Sequence, residues 1–314
     1  MTLLKTRSIY YKDINLIAQP NNLIKSRKEI KKNLSRIFVS PMSAVIGKRF
    51  AETALELGLQ VCLHRFCDIK EQFELYHTLN CQEYHDRIWV AIGLGDYERF
   101  HLLRGKGCNK FLIDAANGYL GSVVSYANTL SKFKVDLVVG NVHSSEGIKL
   151  YKSIPNVHIR VGIGNGSGCD TSIMTAINRG QVTELMECSK AAKRHSIGIL
   201  ADGGISTPSD ACKALGLGAN AIMLGGHFAK AEEAQNVING EYMFWGSSSH
   251  KQQKLSQNVR NHSEGKELNI NTKEIKPLRD LVSDLAGGIS SAVSYAGFDK
   301  WDDFIGNGVF EVKL

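Results

Sequence analysis

No stretch of this chain strings together the roughly 18 apolar residues of a membrane-spanning helix, so none is expected. The opening residues, MTLLKTRSIYYKDINL, have no apolar core and no small-residue cleavage site, and no secretory signal is read there. Cysteine is present without a framework. The seven residues Cys62, Cys67, Cys81, Cys108, Cys169, Cys188 and Cys212 are odd in number, irregularly spaced and without a C-x-x-C pair. That argues against a disulfide scaffold and a structural zinc site and points to a reducing cytoplasm. A strong charge bias is missing too: the formal net charge is +7 over 314 residues. Its basic runs, KSRKEIKKNLSR (25–36) and 249–266, stand beside no nucleic-acid motif, so phosphate-bearing small molecules suit them better than a polymer.

What is present is a rhythm. Apolar or β-branched runs recur as RIFVS (36–40), QVCLHR (60–65), RIWVAIG (87–93), KFLIDA (110–115), VDLVVG (135–140), VHIRVGIG (157–164), IGILADGG (197–204) and NAIMLGG (220–226). They are continuous, not alternating, as for parallel strands buried on both faces. Amphipathic segments such as KRFAETALELG (48–58), VTELMECSKAAKRH (182–195) and PSDACKALGLG (208–218) separate them. The last opens on proline and closes on glycine, the usual asymmetry of helix ends. About eight such units predict an α/β fold, a (β/α)8 TIM barrel over 1–314, with a doubly wound open sheet as the alternative. Residues 240–275 break the rhythm: polar and poor in aliphatics, they read as a mobile functional flap or disordered surface. An amphipathic helix (275–297) and a short apolar tail follow.

A barrel places its functional groups just past the strand C-termini, and the unusual residues fall there. They are Asp114 with Asn117 and Gly118, Asn141 with His143, the loop GIGNGSGCDT, Asp202-Gly203-Gly204 and Gly225-Gly226. Cys169 lies between GSG and DTS, polar flanks that suit a reactive thiol better than a core residue. Paired glycines after strands seven and eight suit a phosphate held by backbone amides, with Asp202 beside it for ribose hydroxyls and Ser247, Ser248 and Ser249 as further donors. His143 is left open between a base and a turn cap. By composition alone, Glu264 reads as solvated surface.

Together, GIGNGSGCDT and ILADGGISTPSDACKALGLGANAIMLGG resemble the IMP dehydrogenase/GMP reductase family. YKDINLI (11–17), KSR (25–27), IDAANGY (113–119), GNV (140–142) and FWGSSS (244–249) extend the likeness along most of the chain. Two features favour the reductase branch. Little sequence separates strands two and three, so CBS domains are not expected, and SEGK resembles the reductases' flap glutamate. The resemblance implies NADPH-dependent reductive deamination of GMP to IMP through a covalent Cys169–purine intermediate, with Thr171 and Glu264 handling protons. It implies Asp202, Gly203, Gly204, Gly225, Gly226, Gly246, Ser247 and Ser248 around the nucleotide, and Asp114, Asn117, Gly118 and Arg65 on the cofactor side. It also implies a potassium ion on the carbonyls of Gly164, Gly166 and Cys169, a homotetramer, and no nucleic-acid or membrane partner. The chain departs from the family pattern at Asn165, Gly168 and Asp170, in TAINRGQ (175–181), in SPMSAV (40–45), at Arg65, and at Asn261 with Arg260 beside it. Two alternatives stay open: a relative acting on another purine nucleotide or in the dehydrogenase direction, and a nucleotide-binding sensor that has lost catalysis.

Overall fold

The structure, a computed structural model, describes residues 7–20, 24, 26–80, 84–256 and 262–313. Lys25, Cys81, Arg260 and Asn261 lie outside the described residues. Eight parallel strands close into a barrel: β1 Ile37–Val39, β2 Gln60–Leu63, β3 Ile88–Ile92, β4 Lys110–Ile113, β5 Asp136–Val142, β6 Val157–Val161, β7 Gly198–Asp202 and β8 Ala221–Leu224. Closure sets Ile37 against Ile222 and Val39 against Leu224, which excludes the open sheet.

The continuous apolar runs follow from this geometry. Side chains alternate along each strand, and here both faces are buried. Phe38, Cys62, Trp89, Ala91, Leu112, Val138, Leu200, Ala221 and Met223 point inward and form a cluster of their own. Their neighbours Val39, Val61, Leu63, Val90, Ile92, Phe111 and Ile113 pack outward in the larger core. The surrounding helices include Lys48–Glu56, Gln181–Arg194, Pro208–Gly216 and Leu278–Tyr295, close to the segments read from the sequence. Pro208 sits in the first turn behind a reciprocal cap: Thr207 Oγ1 accepts the Asp210 N–H at 3.2 Å, and the Asp210 carboxylate accepts the Thr207 N–H at 3.0 Å. One α-helix, Ile69–Asn80, links β2 to β3 among the described residues. No helix of the described residues is long and apolar enough to cross a membrane.

The segment after β8 differs from expectation. Val237–Ile238, Glu241–Trp245 and Glu267–Asn269 form a three-stranded antiparallel sheet, and His250–Leu255 is a helix. The polar composition hid this because two large side chains anchor the sheet, Phe244 and Trp245, exposed by only 4% and 3%. Trp245 Nε1 donates to Ser43 Oγ at 3.1 Å and to Gln252 Oε1 at 3.2 Å, tying the sheet to the loop after β1. The apolar tail is a strand, Phe310–Val312, paired antiparallel with Ile14–Leu16.

Candidate active site

The C-terminal ends of the strands open on a cavity of about 1020 Å³. That is the upper end of the ~300–1,000 Å³ common for single-ligand sites and leaves room for more than one small ring system. β6 feeds its main loop. Gly162 has φ +135°, and a Cβ there would overlap the Asp202 carbonyl oxygen, so glycine is required where β6 crosses β7.

Cys169 is half-buried in the cavity wall, its N–H bonded to the Gly166 carbonyl at 3.0 Å. The segment after the helix His250–Leu255 comes back to meet it. The Asp170 N–H donates to the Glu264 carbonyl at 2.7 Å, the Lys266 N–H to Gly168 at 3.0 Å, and the Gly246 N–H to Lys266 at 3.0 Å. Residues 264–266 therefore run as a ribbon beside 168–170, with an antiparallel bridge between Cys169 and Gly265. A Cβ at Gly246 would overlap the Gly168 carbonyl oxygen, so this close approach also depends on glycine. The ribbon brings three side chains into line. Cys169 Sγ donates to Thr171 Oγ1 at 3.2 Å, and Thr171 Oγ1 donates to Glu264 Oε2 at 2.8 Å. Glu264, 93 residues from Thr171, is thus part of the cavity and not solvated surface.

Gly203, Gly204, Gly225, Gly226, Gly246, Ser247 and Ser248 also line the cavity, and Gly203, Gly226 and Gly246 stand directly against the cysteine loop. The Phe244 ring seats against two glycines, since a Cβ at Gly168 or Gly226 would stand 2.8 Å or 3.5 Å from its Cε1. Ser249 is not a free donor: it is fully buried and caps the helix His250–Leu255, accepting the Gln252 N–H at 3.1 Å.

The last inward-facing position of several strands carries charge. Two residues beyond the inward Leu112 and Leu200 stand Asp114 and Asp202, and Arg160 shares that layer from β6. Arg160 Nε and Nη2 donate to Asp202 Oδ2 at 3.0 and 2.8 Å, and its Nη1 stands 3.5 Å from Asp114 Oδ1. Arg65 Nε donates to Asp114 Oδ2 at 3.0 Å, and Asn141 Nδ2 to Asp202 Oδ2 at 2.8 Å. Burial works to lower the Arg160 pKa, but Asp202 and Asp114 outweigh it and the net shift is upward. The sequence reading missed Arg160. The available signal was a guanidinium in an otherwise apolar strand, in phase with the barrel interior.

Other expected residues lie elsewhere. Asn117 is exposed and its Oδ1 accepts the Tyr119 N–H at 3.0 Å, while buried Gly118 accepts from Tyr151; neither lines the cavity. They shape the loop after β4, a correction to their expected place beside Asp114. His143 is outside the cavity as well, its pKa lowered by burial and by Arg179. Burial raises the thiols of Cys62, Cys67, Cys108, Cys188 and Cys212, Cys67 to about 11; four of them are buried in the core, while Cys67 is partly exposed and lines the cavity. The Gly166 carbonyl accepts the Cys169 N–H at 3.0 Å, and no step below uses a cation. Beneath the loop sits Glu184, 1% exposed, bonded to Asn165 Nδ2 at 3.3 Å. Burial pushes its carboxyl up to about 8 against the pull of Arg179, Asn165 and the Ile163 amide.

Comparison with known proteins gives a consistent picture. The family model described as IMP dehydrogenase / GMP reductase domain matches residues 9–312. An inosine-5'-monophosphate dehydrogenase of Rhodopirellula baltica is 32% identical over 229 residues, 67% of this chain and 42% of that protein. A GMP reductase of Leishmania major is 29% identical over 231 residues, 67% of this chain and 46% of its own. This chain thus spans under half the length of these two relatives. A GMP reductase of Streptococcus pneumoniae is 30% identical over 305 residues, 91% of this chain and 89% of its own.

Proposed function

The chain belongs to the IMP dehydrogenase / GMP reductase family, and on that premise we propose that it reduces GMP to IMP, releasing ammonia, with NADPH as hydride source. The observation that carries the reading is the hydrogen-bonded line from the Cys169 thiol through Thr171 to Glu264, at 3.2 and 2.8 Å, in the same cavity as the glycine turns. A pure nucleotide binder has no use for that line.

The nucleotide phosphate lies against Gly204, Gly225, Gly226 and Ser248, and the ribose hydroxyls donate to Asp202. Asp202 Oδ2 is engaged by Arg160 and Asn141, whereas Oδ1 has no protein donor among the described residues and is left for the ribose. The base then lies over Cys169. The thiol passes its proton through Thr171 Oγ1 to Glu264 while sulfur bonds to carbon 2 of guanine. The same proton returns along the line to the 2-amino group, which leaves as ammonia because an amide anion is too poor a leaving group. The carbon–sulfur bond remains, and no net proton is consumed in this half.

Arg160 Nη1, buried without a hydrogen-bond partner beside Asp114, and the breadth of the cavity toward Arg65 fit a nicotinamide ring and its carboxamide. NADPH, when bound there, supplies the hydride that replaces sulfur at carbon 2. Cys169 departs as thiolate and takes a proton from solvent, which balances GMP, hydride and one proton against IMP and ammonia. The same reading extends to a cytoplasmic homotetramer.

The test is to incubate the purified chain with GMP and NADPH, following loss of the reduced-nicotinamide absorbance and the appearance of ammonia. Matched loss and release support the reading. GMP binding without turnover refutes it in favour of a sensor, and turnover with only another purine nucleotide refutes the choice of substrate. A Cys169→Ala variant with full activity would refute the covalent route.

A further inference from the structure

We propose that Arg160 is a positioning residue that sets the ribose carboxylate and the cofactor-side carboxylate together, so that recognition of the nucleotide sugar and of the nicotinamide partner depends on one cation. The proposal rests on the reading of Asp202 and Asp114 given above and adds the link between them.

Arg160 is 9% exposed and stands between the two acids. Two of its nitrogens hold Asp202 Oδ2, and the third, with no hydrogen-bond partner, stands 3.5 Å from Asp114 Oδ1. Arg65 holds the other oxygen of Asp114 at 3.0 Å, and Asn141 joins Arg160 on the same Asp202 Oδ2 at 2.8 Å while also donating to the Gly162 carbonyl at 2.7 Å. The result is an alternating line of cation and anion across the barrel mouth, ending in an amide that grips the start of the cysteine loop. The backbone makes room for it. Gly140 of β5 is in register with Arg160, and a Cβ there would come within 2.7 Å of the Arg160 Cβ. Any side chain at position 140 would crowd the Arg160 Cβ and backbone from which the guanidinium extends.

Charge and shape both matter in such a line. A planar guanidinium meets two acceptors at fixed angles, whereas an ammonium is a single point charge that follows one acid or the other. With Arg160 in place, Asp202 keeps one oxygen aimed at the sugar, and Asp114 is held at a fixed distance from it. With Lys or Met there, Asp202 keeps only Asn141 and Asp114 only Arg65, the link between them is lost, and two subsites relax together.

The experiment uses the full chain in a Cys169→Ala background, where chemistry is silent, and measures affinity for GMP, 2',3'-dideoxy-GMP and NADPH. The protein with Arg160 should bind GMP at least about tenfold more tightly than the dideoxy analogue, because loss of the hydroxyls leaves a buried acceptor unpaired. In Arg160→Lys and Arg160→Met that preference should shrink to about threefold or less, and NADPH affinity should weaken about fivefold or more in the same proteins. Arg160→Lys keeps the buried charge, so it serves if Arg160→Met does not fold. An unchanged ribose preference in the Lys variant overturns the proposal. So does a lost preference with unchanged NADPH affinity, since Arg160 would then act on the sugar alone. Failure of GMP to bind the protein with Arg160 intact would instead overturn the functional reading beneath it.

Discussion

Replacing Glu264 by glutamine tests the proton line with almost no change of shape. The amide can still accept from Thr171 Oγ1 at the 2.8 Å now occupied by carboxylate Oε2, so the ribbon between 168–170 and 264–266 should stay paired through its backbone bonds. What is lost is a group that takes a proton and gives it back. General acid–base contributions of this kind are typically ~10²–10⁴ in rate, or about 2.7–5.5 kcal/mol of barrier at ~1.4 kcal/mol per factor of ten. We therefore expect Glu264→Gln to lower kcat with GMP by at least about 100-fold while KM moves only a few-fold. A second substrate separates the two uses of the proton. With 2-chloro-IMP the leaving group is chloride, which needs no protonation, so only ionisation of the thiol calls on Glu264. The loss with that substrate, read from formation of the covalent adduct, should be at least about tenfold smaller. Equal losses with both substrates would refute the shuttle, and a large rise in KM with unchanged kcat would reduce Glu264 to a binding group.

Other consequences are equally direct. Gly246→Ala puts a methyl into the Gly168 carbonyl and should part the ribbon, cutting kcat/KM by about tenfold or more, a steady-state measurement. Gly140→Ala crowds the Arg160 Cβ at 2.7 Å and its carbonyl oxygen at 2.8 Å, and overpacking of this kind should cost ~1–3 kcal/mol, visible as a lower urea midpoint. Glu184 gives a pH dependence of definite sign. Its folded pKa of about 8 is above the ordinary 4.5, so the folded chain keeps a proton that the unfolded chain releases across that window, and stability falls as pH rises through it. Glu184→Gln removes the effect: its urea midpoint should match the parent near the acid end and exceed it at the alkaline end, and parallel curves would refute the assignment.

The (β/α)8 barrel was legible because burial on both faces of every strand writes itself as uninterrupted apolar runs, and each run recovered from the sequence is a strand of the barrel. Cys169 and the glycine turns stood out for a local reason, each lying within a few residues of a strand end where the loop chemistry is unlike the core, whereas Thr171 was singled out only by the family resemblance. The sheet around Phe244 and Trp245 was not, because two buried aromatics in a polar stretch leave no period to read. Asn117 and Gly118 were placed on the cofactor side by the family resemblance; in the structure they build the loop after β4, where Asn117 Oδ1 accepts the Tyr119 N–H.

By itself, then, the sequence determined the strand and helix segments and the residues able to do chemistry, since these depend on neighbours along the chain, while closure of β8 on β1 settled the barrel against the open sheet. Only the tertiary structure decided which of those residues work together. Glu264 becomes part of a proton line because the ribbon 264–266, 93 residues along the chain from Thr171, pairs with the cysteine loop. Arg160 gains meaning because barrel closure turns the inward positions of separate strands into one layer, where Asp114 and Asp202 are balanced by Arg160 and Arg65.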